Sequence, residues 1–162
     1  MKIHIIGGSG SGKTTLAEKL SKEYGIPHYD LDELQWDNTS ESYGVKRDPA
    51  ARDALLNGIL EKGDWIIEGV YYSWCRQCFA DADRICLLSV PGGRYRVRII
   101  RRFIRRKLGL ESGKRETLRS LKDLLAWADK YQKEDMPRIR RLLAPFADKV
   151  IEGPPPKYGK EV

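Results

Sequence analysis

The chain has 162 residues, of which 41% are hydrophobic and 33% charged, enough apolar content for one buried core and too much for a disordered segment. No run approaches the ~20 apolar residues that cross a bilayer, and the motif that begins at Gly7 leaves no space for a signal peptide, so the expected address is the cytoplasm. Thirty Lys and Arg against 23 Asp and Glu give a net charge of +7, which suits a phosphate-rich partner, whether nucleotide or nucleic acid.

Lys2 to Ile6 reads as an apolar strand and runs into Gly7, Gly8, Ser9, Gly10, Ser11, Gly12, Lys13, Thr14 and Thr15, a G-x-x-x-x-G-K-T phosphate loop. Backbone N–H groups can converge on a polyphosphate only where no Cβ blocks conformations with φ > 0, a freedom expected of Gly7, Gly10 and Gly12. The helix that starts near Lys13 turns unpaired N–H groups and a partial positive charge toward the anion. Lys13 adds a full charge near the β- and γ-phosphates, and Thr14 offers the hydroxyl that ligates Mg²⁺. Leu16, Ala17 and Leu20 continue at helical spacing, a context that a chance Gly/Ser turn would lack.

Gly25 ends this first helix, and Ile26 to Asp30 reads as a short second strand. Asp30 and Asp32 follow it, either facing a ligand at the carboxyl end of the sheet or serving as N-cap and first-turn acid of the next helix. Residues 37 to 48 form a polar loop; Asp48 and Pro49 then open a helix to about Lys62, with Leu55, Leu56, Ile59 and Leu60 as its apolar face. Trp65 to Ile67 forms a third strand ending on Glu68 and Gly69, Tyr71 to Ala80 is weakly helical, and Arg84 to Val90 reads as a buried parallel strand.

An arginine-rich helix is expected over Tyr95 to Leu108, packing through Val97, Ile100, Ile104 and Leu108, widened by Ile99 and Phe103. Further helices are expected at Glu116 to Tyr131 and Arg138 to Phe146, and a last strand at Lys149 to Ile151. Cys75, Cys78 and Cys86 lack the companions a zinc site needs and are read as reduced thiols without a role. The alternation of about five strands with helices predicts one α/β domain over residues 1–162 with a parallel sheet.

In its order of motifs the chain resembles the adenylate-kinase-like small P-loop kinases. Ile66, Ile67, Glu68 and Gly69 are similar to the close of that family's third strand. Val90 and Pro91, six residues, then Arg98, Ile99, Ile100, Arg101 and Arg102 are similar to its Val-Pro and R-I-x-x-R. The pattern also resembles the FlaR-related, or DNA topology modulation, proteins in His28 to Trp36, Arg47 and Trp65 to Gly69.

The resemblance implies a three-layer P-loop NTPase fold with a five-stranded parallel sheet and a helical, arginine-rich lid at about residues 105–118. It implies ATP or GTP with Mg²⁺, Arg98 over the adenine, Arg102 on the phosphates and an adenine-side loop at Gly153 and Pro154. Lys13, Arg102 and Arg105 or Arg106 would contact phosphates; Thr14 would bind Mg²⁺, Glu68 would act on it through water, and Asp30 or Asp32 would hold the metal shell or the acceptor hydroxyl. Asp32 is preferred for orienting the acceptor hydroxyl.

The family's arginine after the acid-glycine pair is missing, since Val70, Tyr71, Tyr72 and Ser73 follow Gly69. Trp36, Tyr71 and Tyr72 either stack on a base or sugar or pack, and Arg47 either replaces the missing grip or is solvated. The expected partners are a nucleoside triphosphate and a small-molecule acceptor. The competing reading is a nucleotide-dependent regulator on nucleic acid, tracked by the arginine helix. It is less economical, because a lid already requires those arginines and no DNA-reading motif is present.

Overall fold

The computed structural model describes residues 1–37, 44–110 and 117–154. Five strands, β1 (Lys2–Gly7), β2 (His28–Asp30), β3 (Trp65–Gly69), β4 (Arg84–Leu88) and β5 (Val150–Glu152), form one sheet in the order β2-β3-β1-β4-β5, parallel throughout. The seven α-helices of the described residues are α1 (Lys13–Tyr24), α2 (Leu31–Gln35), α3 (Pro49–Leu60), α4 (Arg76–Asp81), α5 (Arg94–Lys107), α6 (Leu118–Lys130) and α7 (Met136–Leu143). Alternation along β1 sends Ile3 and Ile5 to one face, with Ala17 and Leu20 of α1, and Ile6 to the other, with α2, α3, α4 and α7. Both faces are covered, which is why the inner strands are near-continuous apolar runs. Helices on two faces of a parallel sheet make the three-layer α/β architecture expected from the sequence.

The register fixes where chemistry can occur. Asp30 lies opposite Glu68, Glu68 opposite Ile5, and Gly7 opposite Leu88, so the carboxyl ends of four strands meet beside the phosphate loop. Asp48 caps α3 by accepting from the N–H groups of Ala50 and Ala51 at 3.0 and 3.2 Å, with Pro49 in the first turn.

Several boundaries differ from the sequence reading. β2 begins at His28, because Pro27 has no N–H and contributes only its carbonyl, to Ile66 N at 3.0 Å. The weakly helical stretch after Gly69 becomes helical only at α4, α3 stops at Leu60, and Leu55 faces solvent. The largest correction concerns α5: its buried residues are Tyr95, Ile99 and Phe103, while Val97, Ile104 and Leu108 are 66%, 50% and 67% exposed. Tyr95 and Ile99 pack with Val90 and with Ala128 of α6, and Tyr95 Oη donates to Asp129 at 2.6 Å. That contact selects one of two apolar stripes on opposite sides of the helix. The expected lid falls partly on residues 111–116, which lie outside the described residues, as do residues 38–43 of the polar loop and 155–162.

Candidate active site

The loop joining β1 to α1 is shaped by glycines in two ways. Gly10 and Gly12 have φ of +75° and +95°, the left-handed region that side chains disfavour. Gly7 does not, contrary to expectation; a Cβ there would stand 2.5 Å from Leu88 O, so it is required by the close passage of β4. Gly12 opens α1, and Lys13 is buried with its Nζ donating to Gly8 O at 3.1 Å. Burial pulls the Lys13 ammonium below its usual range, and the nearby charges of Glu68, Asp32 and Asp30 oppose that shift. Ser11 Oγ is buried without a hydrogen-bond partner. Ser9 and Thr15 complete the loop and first turn, with Thr15 exposed.

Thr14 Oγ1 donates to Glu68 Oε1 at 2.6 Å, joining the start of α1 to the end of β3. Glu68 is 2% exposed; burial holds its carboxyl above the usual range, and the Asp30 charge adds to that. Burial also raises Asp30, whose Oδ1 accepts from Asp32 N at 2.8 Å. Asp30 is therefore the N-cap of α2, the second of the two alternatives for it, and it stands within electrostatic reach of Lys13 and Glu68.

The neighbouring face is built from longer-range contacts. Tyr71 Oη donates to Asp32 Oδ1 at 2.7 Å and is also hydrogen-bonded to Trp36, and burial drives its own pKa upward. The rings of Tyr71 and Trp74 lie 5.3 Å apart. Arg47 is neither solvated nor free to grip an anion with its whole guanidinium. Its Nε and Nη2 donate to Leu34 O at 3.1 Å and Trp36 O at 3.3 Å, beside a short antiparallel bridge between Trp36 and Lys46. Gly69 is demanded by packing, since a Cβ would meet Leu31 at 2.9 Å.

The arginines of α5 divide by face. Arg98 Nη1 donates to Gly10 O and Ser11 O at 3.3 and 3.2 Å, bracing the loop from outside. Arg102 and Arg106 lie half-buried on the inward side, and Arg102 is close enough to Lys13 to disfavour its charge. Arg105 is exposed. Pro154 follows Gly153, whose N–H donates to Leu87 O at 3.1 Å, next to the same strand ends.

Two neighbours of the loop escaped the sequence reading. Tyr131 and Gln132 begin a π-helical turn (Tyr131–Asp135) between α6 and α7 and pack against Gly8. Only the Tyr71-to-Ala80 segment and this turn's tyrosine could have hinted at it: Tyr131 Oη donates to Val70 O at 3.0 Å, and Tyr72 Oη to Asp135 at 2.7 Å. Cys75, Cys78 and Cys86 are buried and unbridged, and among the described residues no three His, Cys, Asp or Glu side chains form a ready ligand set. Among those residues, too, no helix is long and apolar enough to cross a membrane.

This sheet order, with the loop between β1 and α1, is the fold of the small P-loop kinases. Shikimate kinase from Acinetobacter baumannii superposes with a TM-score of 0.59 at 16% identity, over 98% of this chain and 84% of that one. A gluconokinase from Sinorhizobium meliloti gives 0.52 at 17%, over 93% and 80%. At such identities the likeness is one of fold.

No family model matches the chain. In sequence it is 41% identical to adenylate kinase isoenzyme 5 of Mus musculus over 69 residues, 42% of this chain and 11% of that protein. It is 31% identical to the uncharacterized protein YqaC of Bacillus subtilis over 90 residues, 55% of this chain and 49% of that one. The chain thus spans about a tenth of the adenylate kinase and about half of the Bacillus protein.

Proposed function

We propose that the chain is a Mg²⁺-dependent kinase that transfers the γ-phosphate of ATP to the hydroxyl of a small molecule. The observation that carries this reading is the meeting of Lys13, Asp30, Asp32, Glu68 and Arg102 around one glycine-shaped loop, close enough that each acid perturbs Lys13. The loop's Cβ-free surfaces and the unpartnered Ser11 Oγ fit a polyphosphate. Thr14 and Glu68, with Asp30 nearby, fit Mg²⁺, which is held by few protein ligands together with phosphates and water. Bound there, the ion would supply neutralisation of phosphate charge.

The chain's own residues divide the remaining work. Lys13 and Arg102, with Arg105 or Arg106 from the last turn of α5, would stabilise the phosphoryl oxygens. Arg98 and Pro154 would flank the base. Asp32, oriented by Tyr71, would hold the acceptor hydroxyl for in-line attack, with Trp36 and Gly69 bounding its pocket. Arg47 shapes that pocket through the backbone of α2 and the residues after it.

The adenylate kinase likeness over part of the chain and the fold of its kinase neighbours support this reading, and the motif pattern of FlaR-related proteins is compatible with it. The test is calorimetric titration with ATP and Mg²⁺, followed by a screen of nucleosides, nucleotides, sugars and other hydroxyl compounds for ATP-dependent phosphorylation. Transfer to one acceptor class is expected. Binding without transfer to any of them, only background hydrolysis, would favour a nucleotide-regulated role instead.

A further inference from the structure

The turn Tyr131–Asp135 lies beside the phosphate loop, and the proposed reaction leaves it without a role. A π-turn adds one residue to a helix, and such turns recur at functional sites. Here the bond from Met136 N–H to Tyr131 O closes it. Tyr131 points inward with its ring on Gly8, and Gln132 brings its carboxamide to the same glycine: a Cβ on Gly8 would stand 2.9 Å from the tyrosine ring and 3.4 Å from Gln132 Nε2.

That Nε2 is buried and has no hydrogen-bond partner. A buried amide donor left unpaired is costly and uncommon, and its presence asks for an acceptor. The position indicates which acceptor. Lys13, whose ammonium serves the β- and γ-phosphates, rests its Nζ on the carbonyl of Gly8, the glycine against which the Gln132 amide lies. The amide thus lies against the same loop glycine whose carbonyl holds the Lys13 ammonium.

We infer that Gln132 is a phosphate-binding residue whose Nε2 donates to the γ-phosphate of a bound nucleoside triphosphate. This rests on the nucleotide-binding reading given above. A neutral donor here complements Lys13 and Arg102 without adding a charge, and it distinguishes triphosphate from diphosphate.

Calorimetric titration of wild type, Gln132→Met and Gln132→Glu with ATPγS and with ADP, each with Mg²⁺, tests it. The near-isosteric methionine is expected to weaken ATPγS about tenfold, as for a lost bond to a charged group, and ADP less than twofold. The glutamate should weaken ATPγS further, because its carboxylate would face the phosphate. Thermal melts without nucleotide should stay within about 2 °C of wild type. Unchanged ATPγS affinity in the methionine variant overturns the inference, and so does an equal loss for both nucleotides. A loss accompanied by a large drop in melting temperature in both variants assigns Gln132 a packing role and overturns it as well. If one variant does not fold, the other decides by the same selectivity. Wild type that binds neither nucleotide refutes the nucleotide reading itself, a failure distinct from these.

Discussion

The phosphate loop and the proposed acceptor face adjoin each other but are held by different means. The loop is set by backbone: two left-handed glycines, a third on which a Cβ would stand 2.5 Å from Leu88 O, and the start of a helix. The acceptor face is set by side chains from separate segments, Tyr71 on Asp32 and Arg47 on the carbonyls of residues 34 and 36. A backbone-built site tolerates almost no substitution yet can be read in one short stretch. A side-chain-built site can be retuned residue by residue, and its specificity is correspondingly harder to read.

The comparison can be broken most directly at the loop. Lys13→Met should weaken MgATP at least about 100-fold, roughly 2.8 kcal/mol, in a calorimetric titration while the far-ultraviolet dichroism is unchanged. Gly7→Ala should cost about 2–3 kcal/mol of stability in urea unfolding, because the added methyl must displace β4 backbone rather than a flexible side chain. An alanine tolerated without loss would mean that β4 does not pass as closely as described.

On the acceptor face, Tyr71→Phe removes the donor to Asp32 but keeps the ring against Trp74. Its kcat with the acceptor should fall about tenfold, roughly 1.4 kcal/mol, with ATP affinity unaltered. The boundary between the two regions is Glu68. Its folded pKa is raised by burial, so it favours the folded state below its unfolded value and loses that contribution as pH rises through the folded value. Glu68→Gln should therefore raise the melting temperature at neutral pH by about 2–4 °C, close to 1 kcal/mol, with the gain vanishing near pH 4. The same variant should bind Mg²⁺-nucleotide more weakly. The smallest effect is expected for the outward arginines: Arg94→Ala with Arg101→Ala should leave MgATP affinity within about twofold, since both side chains are exposed. A large loss there would move the basic face of α5 into the site.

How well each part could be read from the sequence follows the same division. Strand, loop and helix from Lys2 to Tyr24 are local in sequence, so composition and spacing are sufficient. The acids Asp30 and Glu68 were legible as strand ends, and the register brings them opposite each other. Arg47 was not, because its partners are set by the bridge between Trp36 and Lys46, a pairing no periodicity announces. On α5, counting aliphatic residues favoured Val97, Ile100, Ile104 and Leu108, whereas packing on α6 chose the stripe of Tyr95, Ile99 and Phe103. Gln132 was invisible because a π-turn carries no residue signature of its own.

That turn also fixes the phase of α7. One residue removed from Tyr131–Asp135 would restore regular helix and turn every later position by about 100°. Met136, Ile139 and Leu143, now buried in the core beside β1 and β4, would rotate away, and α7's basic residues would swing toward their places. The extra residue at the phosphate loop and the apolar seam of α7 are thus one commitment: a deletion that tidied the helix would take the C-terminal part of the fold out of register.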